Sequence, residues 1–491
     1  MLIEIIIKTS YIPCHAVACG AIAPEVKKMF KKVLIANRGE IAIRVINTCK
    51  KMGVPTVGIY TPSDKHCKHV SLADKSVELK TDENSIGYLD IDAIIDVANR
   101  MKVDAIHPGY GFLSEKPELS ERCEEEGIAF LGPSPRAMKL LGSKLSAREF
   151  MSKVGVPIMP GTLDPLETPD EAIEQANKIG YPILLKASGG GGGRGMRLVH
   201  NDSEMENALT SAKNEADKAF KNPTIYLERA LLKARHIEFQ VVGDSRGNAY
   251  CLGERECSVQ RRHQKIIEET PSCAVSPELR AKMSELCIAA VKRANYTSLG
   301  TFEFLMSAEG DLFFLEANTR IQVEHPITEL VTGLDLVEMQ LKIGSDVPVE
   351  DVLSEVVPKG HAMEFRINAE NPFNNFFPAP GRIEKYMEPA GEHVRVDSHA
   401  YEGYVVPTEF DNLLAKLIVS GKTRNEVLIR GQDALDRYTV TGIKTTIPYH
   451  RLVVRNPDFR AGNYSIDYVK DHLPQDLLKT TEFSLFEGVG R

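Results

Sequence analysis

The chain has 491 residues, 43% of them hydrophobic and 26% charged, with a formal net charge of −8. That length predicts about three domains of ordinary size, and the composition is ordinary for a globular protein. The acidic balance argues against a nucleic-acid binder, which would carry a basic face, and no apolar run reaches the roughly 18–20 residues that span a bilayer.

Residues 1–28 open on the apolar run Leu2-Ile3-Glu4-Ile5-Ile6-Ile7 and then lose any clear period. Met29-Phe30-Lys31-Lys32 reads as the beginning proper, and residues 1–28 as an extension from an over-long start site. Lys32 to Ala36 is a short apolar strand running into Asn37-Arg38-Gly39-Glu40. A helix follows, with Ile41, Val45, Ile46, Cys49 and Met52 on one face. Pro55 to Tyr60 is a second strand, Leu89 to Met101 a helix, and Val103 to His107 a strand leading into Pro108-Gly109-Tyr110-Gly111. This βαβ rhythm implies a parallel sheet covered by helices on both faces. The first domain ends near Gly142. Residues 143–230 mix helices and strands. From about 236 to 345 the texture predicts antiparallel strands joined by short turns, and 363–475 is again mixed.

Five consecutive glycines, Gly189 to Gly193, precede Arg194 and Gly195. Their amides, uncovered by side chains, can approach phosphate oxygens closely. A dinucleotide fold needs strand, glycines, then helix. Here the glycines lie between the strands Pro182–Ser188 and Met196–Val199, and no G-x-x-x-x-G-K-[ST] occurs. Strand, glycine loop, strand is a hairpin flap able to close over a nucleotide. Lys186, at the end of the first strand, can reach a phosphate as a point charge, which a plain surface loop would not explain.

Thr301 to Leu305 alternates, as does Phe313 to Asn318, around the turn sequence Ala308-Glu309-Gly310-Asp311. A symmetric hairpin pairs Ala308 with Asp311 and, further out, Glu303 with Glu316, their Cβ atoms about 4.5–5.5 Å apart on one face. Like charges directly opposite call for a cation between them, and magnesium suits carboxylates and phosphates. Asn318 follows on the same face as Glu316. A slipped turn would weaken this pairing. Two polar runs stand nearby in character: Asn318 to Pro326, and the basic Gln260 to Lys265. Cations converging beside a triphosphate would hold a small anion, with Glu324 as a base among them. His325 before Pro326 reads as a packing residue.

Together these stretches resemble the ATP-grasp superfamily and, within it, the biotin carboxylases. The likeness is carried by Ile35 to Ala42, His107 to Glu115, Lys186 to Met196, Gln260 to Lys265, Glu316 to Pro326 and Arg366 to Glu370, and it runs from about Met29 to His472. The resemblance implies an α/β and α+β chain of ATP-grasp fold. Its N-terminal parallel-sheet, Rossmann-like domain would be residues 29–142. The ATP-grasp domain would be 143–362, with a glycine-flap lid at about 158–230, and a mixed C-terminal domain 363–475. It implies formation of carboxyphosphate from ATP and bicarbonate, then carboxylation of the ureido nitrogen of biotin. By motif position, Lys144, Lys186 and the flap glycines, Gly191, Gly192 and Gly193 among them, would contact ATP phosphates. Glu228 to Leu231 would form the adenine hinge, with His236 and His263 nearby. Glu303, Glu316 and Asn318 would hold magnesium or manganese. Lys265, Arg320, Gln322 and Val323 would position bicarbonate, Glu324 would deprotonate it, and Arg366 would stabilise the biotin enolate. Arg229-Ala230 departs from the basic–aromatic pair often found at the hinge.

Nine cysteines without a C-x-x-C pair fit the packed thiols of a cytoplasmic protein. No Ala-Met-Lys-Met biotinylation sequence occurs, and a carboxyltransferase has no room. Biotin is therefore expected on another polypeptide, a carrier protein or a biotinylated carboxyltransferase subunit, with neither nucleic acid nor membrane as partner. The family suggests a homodimer. The final acceptor, acetyl-CoA, pyruvate or another, stays open. Two other readings compete: a ligase of the carbamoyl-phosphate synthase type, and a non-catalytic nucleotide-binding subunit. The His263-Gln264-Lys265 and Arg366-Ile367-Asn368 runs favour the biotin carboxylase reading over the first. Retention of Glu303, Glu316, Glu324 and Arg366 favours it over the second.

Overall fold

The computed structural model describes residues 29–80, 87–189 and 196–472. The expectations for residues 1–28 and for Gly191, Gly192 and Gly193 fall outside these. The N-terminal segment is the predicted parallel sheet, with strands β1 (Val33–Ile35), β2 (Thr56–Tyr60), β3 (Lys75–Glu78), β4 (Ala105–His107) and β5 (Ala129–Phe130) in the order 3-2-1-4-5. Val33, Leu34 and Ile35 are all fully buried, as a strand covered on both faces requires. The helix Gly39–Lys51 follows β1 and turns Ile41, Val45, Ile46 and Cys49 into one apolar cluster. The order of strands reverses between β1 and β4. At that point the loops leaving their carboxyl ends diverge and leave a crevice, the usual ligand position of such sheets. Asn37 ties the two loops together, its Nδ2 donating to the carbonyls of Pro108 at 2.8 Å and Tyr110 at 2.7 Å.

A small antiparallel sheet comes next: β6 (Ile183–Ala187) lies between β7 (Arg197–Val199) and β8 (Ile225–Arg229). Ile183 pairs with Val199 and Leu185 with Arg197, so the glycine segment does connect two antiparallel neighbours. The helices Pro169–Ile179 and Asp202–Phe220 pack Ala172, Ala176, Leu209 and Ala212 against this sheet.

The site is built on an eight-stranded antiparallel sheet. Its strands are β9 (Arg235–Gly243), β10 (Ala249–Arg261), β11 (Gln264–Thr270), β12 (Ser298–Met306), β13 (Leu312–Asn318), β14 (His361–Asn368), β15 (Val394–Ser398) and β16 (Leu413–Gly421). The order is β13-β12-β9-β10-β11-β14-β16-β15. The sheet is continuous across residue 362, because β11 pairs with β14. Strands and short turns do not fill 236–345 as expected. The 17-residue helix Pro277–Arg293 stands between β11 and β12, and the helices His325–Thr332 and Leu336–Gly344 follow β13. The first is signalled by Ser276, whose side chain caps Leu279 N–H, by Pro277 at the first helical position, and by Met283, Cys287, Ala290 and Val291 at helical spacing.

Beneath the site, Phe239, Phe302, Phe304 and Phe314 interlock edge to face, with centroids 5.6–6.5 Å apart. Such pairs contribute about 0.5–1.5 kcal/mol each beyond simple burial, and they give the polar face of the sheet a rigid floor.

Candidate active site

The carboxylate hairpin forms by a different route from the one expected. Ser307, not Ala308, faces Asp311: Ser307 N–H donates to the Asp311 carbonyl at 2.8 Å, and Met306 pairs with Leu312. Gly310, at φ +95°, closes this three-residue turn in a left-handed conformation that suits glycine. The slip would have separated the two glutamates, but a second irregularity between Glu303 and Phe304 cancels it, and Glu303 does stand opposite Glu316. The two carboxylates find different cationic partners. Glu316 pairs with Lys144 at 3.2 Å, while Glu303 turns to Lys265 and to His236 Nε2 at 3.1 Å.

Lys265 is the hub. Its Nζ donates to Glu238, to Glu303 Oε1 at 2.8 Å and to Glu324 Oε1 at 2.6 Å. Three carboxylates around one buried ammonium hold Lys265 well above its ordinary range, although burial acts in the opposite direction. Glu303 Oε1 also accepts from Asn318 Nδ2 and Gln322 Nε2, each at 2.9 Å. Burial would raise Glu303, yet Lys265 and His236 hold it well below the usual carboxylate range. Arg255, fully buried, braces the assembly from beneath. It donates to Glu238 at 2.5 Å, Gln240 at 2.7 Å, Thr328 at 2.9 Å, and Thr301 and Gln322 at 3.1 Å.

Glu324 bridges two cations. Its second oxygen accepts from an Arg366 terminal nitrogen at 2.9 Å, while Arg366 Nε donates to Glu268 at 2.6 Å. Burial again works to raise Glu324, and Lys265, Arg366 and Arg255 together overcome it, leaving the carboxyl ionised. Arg320 donates to Asn318 Oδ1 at 2.9 Å and to Glu115 at 3.0 Å, joining the site to the loop after β4. Arg320 and Arg366 carry this network to the crevice at the β1–β4 switch point. A cavity of about 400 Å³ there is lined by Arg38, Glu40, Tyr110, Arg320, Val323 and Arg366, among others. That is the size of a small-molecule site.

A second cluster surrounds Lys186. The Lys186 ammonium and Arg148 both pair with Glu228, and all three are buried. Burial pulls Lys186 below its ordinary range despite Glu228, with Lys144 and Arg148 adding repulsion. The Glu228 carboxylate is thus engaged by two cations, which leaves its backbone and the Arg229–Leu231 segment to serve a hinge. Leu231 is half-buried there. His263 sits in the β10–β11 turn, where Arg262 and His263 have φ of 47° and 68°. It feels Lys186, Lys144, His236 and Glu316, which connects the two clusters.

The basic run Gln260–Lys265 does not converge on one point. Arg261 instead ties down the loop at Asn375 and Phe376 and lies over the Phe376 ring. His325 is a packing residue, fully buried with Nδ1 on the Gln322 carbonyl at 2.8 Å. Reading the sequence alone does not single out Glu238, Arg255, Glu268, Arg148 or Lys416. Glu238 is within reach of such a reading, since His236, Glu238 and Gln240 alternate along β9 and so share a face. The oxygen donors of Glu303, Glu316 and Asn318 suit a hard divalent cation. Ligand atoms of His236, Glu238 and Glu303 also come within 4.8 Å of one another, but the Lys265 ammonium already stands among those carboxylates.

Three family models match in succession. They are the biotin carboxylase N-terminal domain over residues 29–138, the carbamoyl-phosphate synthase L chain ATP binding domain over 143–352, and the biotin carboxylase C-terminal domain over 364–471. The chain is 46% identical over 444 residues to a pyruvate carboxylase subunit of Methanothermobacter thermautotrophicus, covering 90% of each chain. It is 46% identical over 442 residues to the biotin carboxylase of a Nostoc species, covering 90% of this chain and 99% of that one. Among solved structures it superposes on the biotin carboxylase domain dimer of Hydrogenobacter thermophilus 2-oxoglutarate carboxylase, which holds MgADP, ADP and bicarbonate. The TM-score is 0.88 at 43% identity, over 91% of this chain and 98% of that one. A Campylobacter jejuni biotin carboxylase with a β-γ-ATP ligand superposes with a TM-score of 0.87 at 43% identity, covering 90% and 99%. The central match shares its description with carbamoyl-phosphate synthase, but the flanking segments separate the alternatives, and the chain belongs to the biotin carboxylase family of ATP-dependent ligases.

Proposed function

We propose that the residues assembled above divide the work of carboxylating biotin, carried on a separate protein, with ATP and bicarbonate. One observation carries the reading: Glu324 is held between Lys265 and Arg366, and Arg366 lines the switch-point cavity. Lys144 and Lys186 neutralise nucleotide phosphates, and the glycine flap closes over them. The backbone of Glu228–Leu231 receives adenine, with His236 and His263 alongside. Glu303, Glu316 and Asn318 hold magnesium or manganese, which when bound would gather phosphate oxygens and offset their charge. For that, Lys144 gives up its contact with Glu316.

Lys265, Arg320, Gln322 and the Val323 backbone hold bicarbonate. Bicarbonate is a poor nucleophile, and a carboxylate beside it improves it by taking its proton. A carboxylate held low is a weak base. The cations Lys265 and Arg320, beside the same bicarbonate, lower the acidity barrier it has to meet. After phosphoryl transfer the carboxyl group is an acyl phosphate, and closure of the flap keeps water from it. The ureido nitrogen of biotin is very weakly acidic. Arg366, at the cavity wall, stabilises the oxygen that gains charge when that nitrogen is deprotonated; the proton goes to the departing phosphate, whose bond to the carboxyl carbon breaks as the C–N bond forms. The described residues include no helix long and apolar enough to cross a membrane, and a homodimer working with a biotin carrier protein or a biotinylated carboxyltransferase subunit is the assembly this reading favours. The domains divide at about 142 and 362.

Transfer of label from bicarbonate to biotin tests the proposal. Labelled carboxybiotin should accumulate with ATP and a divalent metal, and should fail to form in Arg366→Met. Undiminished carboxybiotin in Arg366→Met would overturn the assignment of that residue.

A further inference from the structure

Behind Arg366 lies a second carboxyl group that the chemistry above does not use. Glu268, which anchors Arg366 Nε, stands directly opposite Glu364 in the β11–β14 ladder, so their Cβ atoms are about 4.5–5.5 Å apart. Both residues are 0% exposed. Among the described residues, Glu268 Oε2 and both carboxyl oxygens of Glu364 have no hydrogen-bond partner. The charged groups facing the pair are Arg366 on β14, Lys416 on β16, Lys265 on β11 and Glu324 ahead of the helix His325–Thr332. None of them neutralises Glu364 by contact. Lys416 is occupied by Glu40 and the Val323 carbonyl, each at 3.0 Å. Ile418 is the partner of Glu364 on β16, and it forms an apolar cluster with Ala362, Ile327 and Val331.

Two ionised carboxylates cannot both persist in such surroundings, and protonating one is far cheaper than burying both charges. Burial raises Glu268 against the pull of Arg366. Burial raises Glu364 further, against Lys416, with Glu268 adding repulsion. We propose that Glu268 and Glu364 share a single proton at neutral pH, and that this proton sets the net charge Arg366 presents to the cavity. The inference rests on the reading of Arg366 as the residue facing the biotin oxygen. With the proton in place, Arg366 meets one negative charge from the pair and one from Glu324. When the proton leaves to solvent, the pair carries two charges. The guanidinium is then over-compensated, and its hold on an oxyanion weakens. Glu268 and Glu364 are positioning residues that act through Arg366.

The test is Glu364→Gln in the full chain, a near-isosteric change that cannot ionise and keeps one negative charge on Glu268. Turnover of free biotin in the wild type should decline on the alkaline side as the pair loses its proton. In Glu364→Gln that limb should move up by at least about one pH unit, a tenfold change in proton affinity. Infrared spectroscopy at neutral pH supplies a readout independent of turnover: a carboxylic-acid carbonyl band present in the wild type should be missing from Glu364→Gln. An unshifted limb, or a band retained in the variant, would overturn the proposal. Arg366→Met separates the two claims. If it leaves biotin turnover intact, the role of Arg366 fails, while the infrared band still reports whether the proton is there.

Discussion

Replacing Glu324 by glutamine removes one negative charge and one proton acceptor while keeping the shape. The neighbours limit the structural cost. Lys265 retains Glu238 and Glu303, and Arg366 retains Glu268. The 2.6 and 2.9 Å hydrogen bonds end on different oxygens, and the amide nitrogen cannot accept, so one bond loses its charge assistance and the other is lost, about 2–4 kcal/mol together. That is below the roughly 5–15 kcal/mol by which domains are stable, and the variant should fold. The chemical cost is larger. A positioned general base contributes about 10²–10⁴ in rate, equivalent to about 2.7–5.4 kcal/mol in the barrier. Bicarbonate-dependent ADP release by Glu324→Gln should therefore fall by two to four orders of magnitude. Its affinity for ATP should stay within about threefold, under roughly 0.7 kcal/mol. Calorimetric ATP binding measured beside the steady-state assay makes the separation. A wild-type turnover number at saturating bicarbonate would refute the assignment of Glu324 as base.

Other parts of the fold and site yield further expectations. Glu316→Gln should raise the magnesium concentration for half-maximal activity by about tenfold, roughly 1.4 kcal/mol, because one of two anionic oxygen donors is lost; a metal titration with unchanged midpoint would contradict the placement. Gly109 has φ +63°, and an added Cβ would meet Asn37 Nδ2 at 2.9 Å, so Gly109→Ala should destabilise the chain by about 1–3 kcal/mol; urea unfolding would read this as a lowered midpoint, and an unchanged midpoint would show that the loop relaxes freely. His107 is fully buried and burial pulls it down to about 4. The unfolded chain takes up that proton near pH 6.5 and the folded chain only near 4, so His107 subtracts stability as pH falls through this window, by at most about 1.4 kcal/mol per pH unit. Unfolding midpoints between pH 7 and 5 should fall less steeply in His107→Gln than in the wild type, and parallel curves would count against the buried neutral imidazole.

The N-terminal sheet was legible because its signals are local. Val33 to Ile35, the glycine turn and the apolar stripe of the following helix each need only a few neighbouring residues to be read. The carboxylate hairpin was legible for a less secure reason. Counting outward from a symmetric turn pairs Glu303 with Glu316, and the structure pairs them too, but only because the bulge at Glu303–Phe304 offsets a turn one residue longer. Bulges follow from packing across the whole sheet and leave little trace in a single strand. Lys265 and Glu268 show the opposite outcome. Odd spacing on β11 would send them to opposite faces under strict alternation, yet both reach the Glu324–Arg366 pair. The β10–β11 ladder has register shifts at Val259. Glu364 was hidden because nothing in Met363-Glu364-Phe365-Arg366 says which buried strand lies alongside. The long helix Pro277–Arg293 was missed although Ser276-Pro277 signals its start, because the alternating texture on either side reads as strand throughout.

Carboxylation by this chemistry requires that phosphate be cleaved from ATP only when bicarbonate is there to receive it. With ATP and magnesium, purified protein should release ADP slowly without bicarbonate, faster with it, and faster again when free biotin is added. Equal ADP release with and without bicarbonate would show that bicarbonate is not the acceptor of the phosphoryl group.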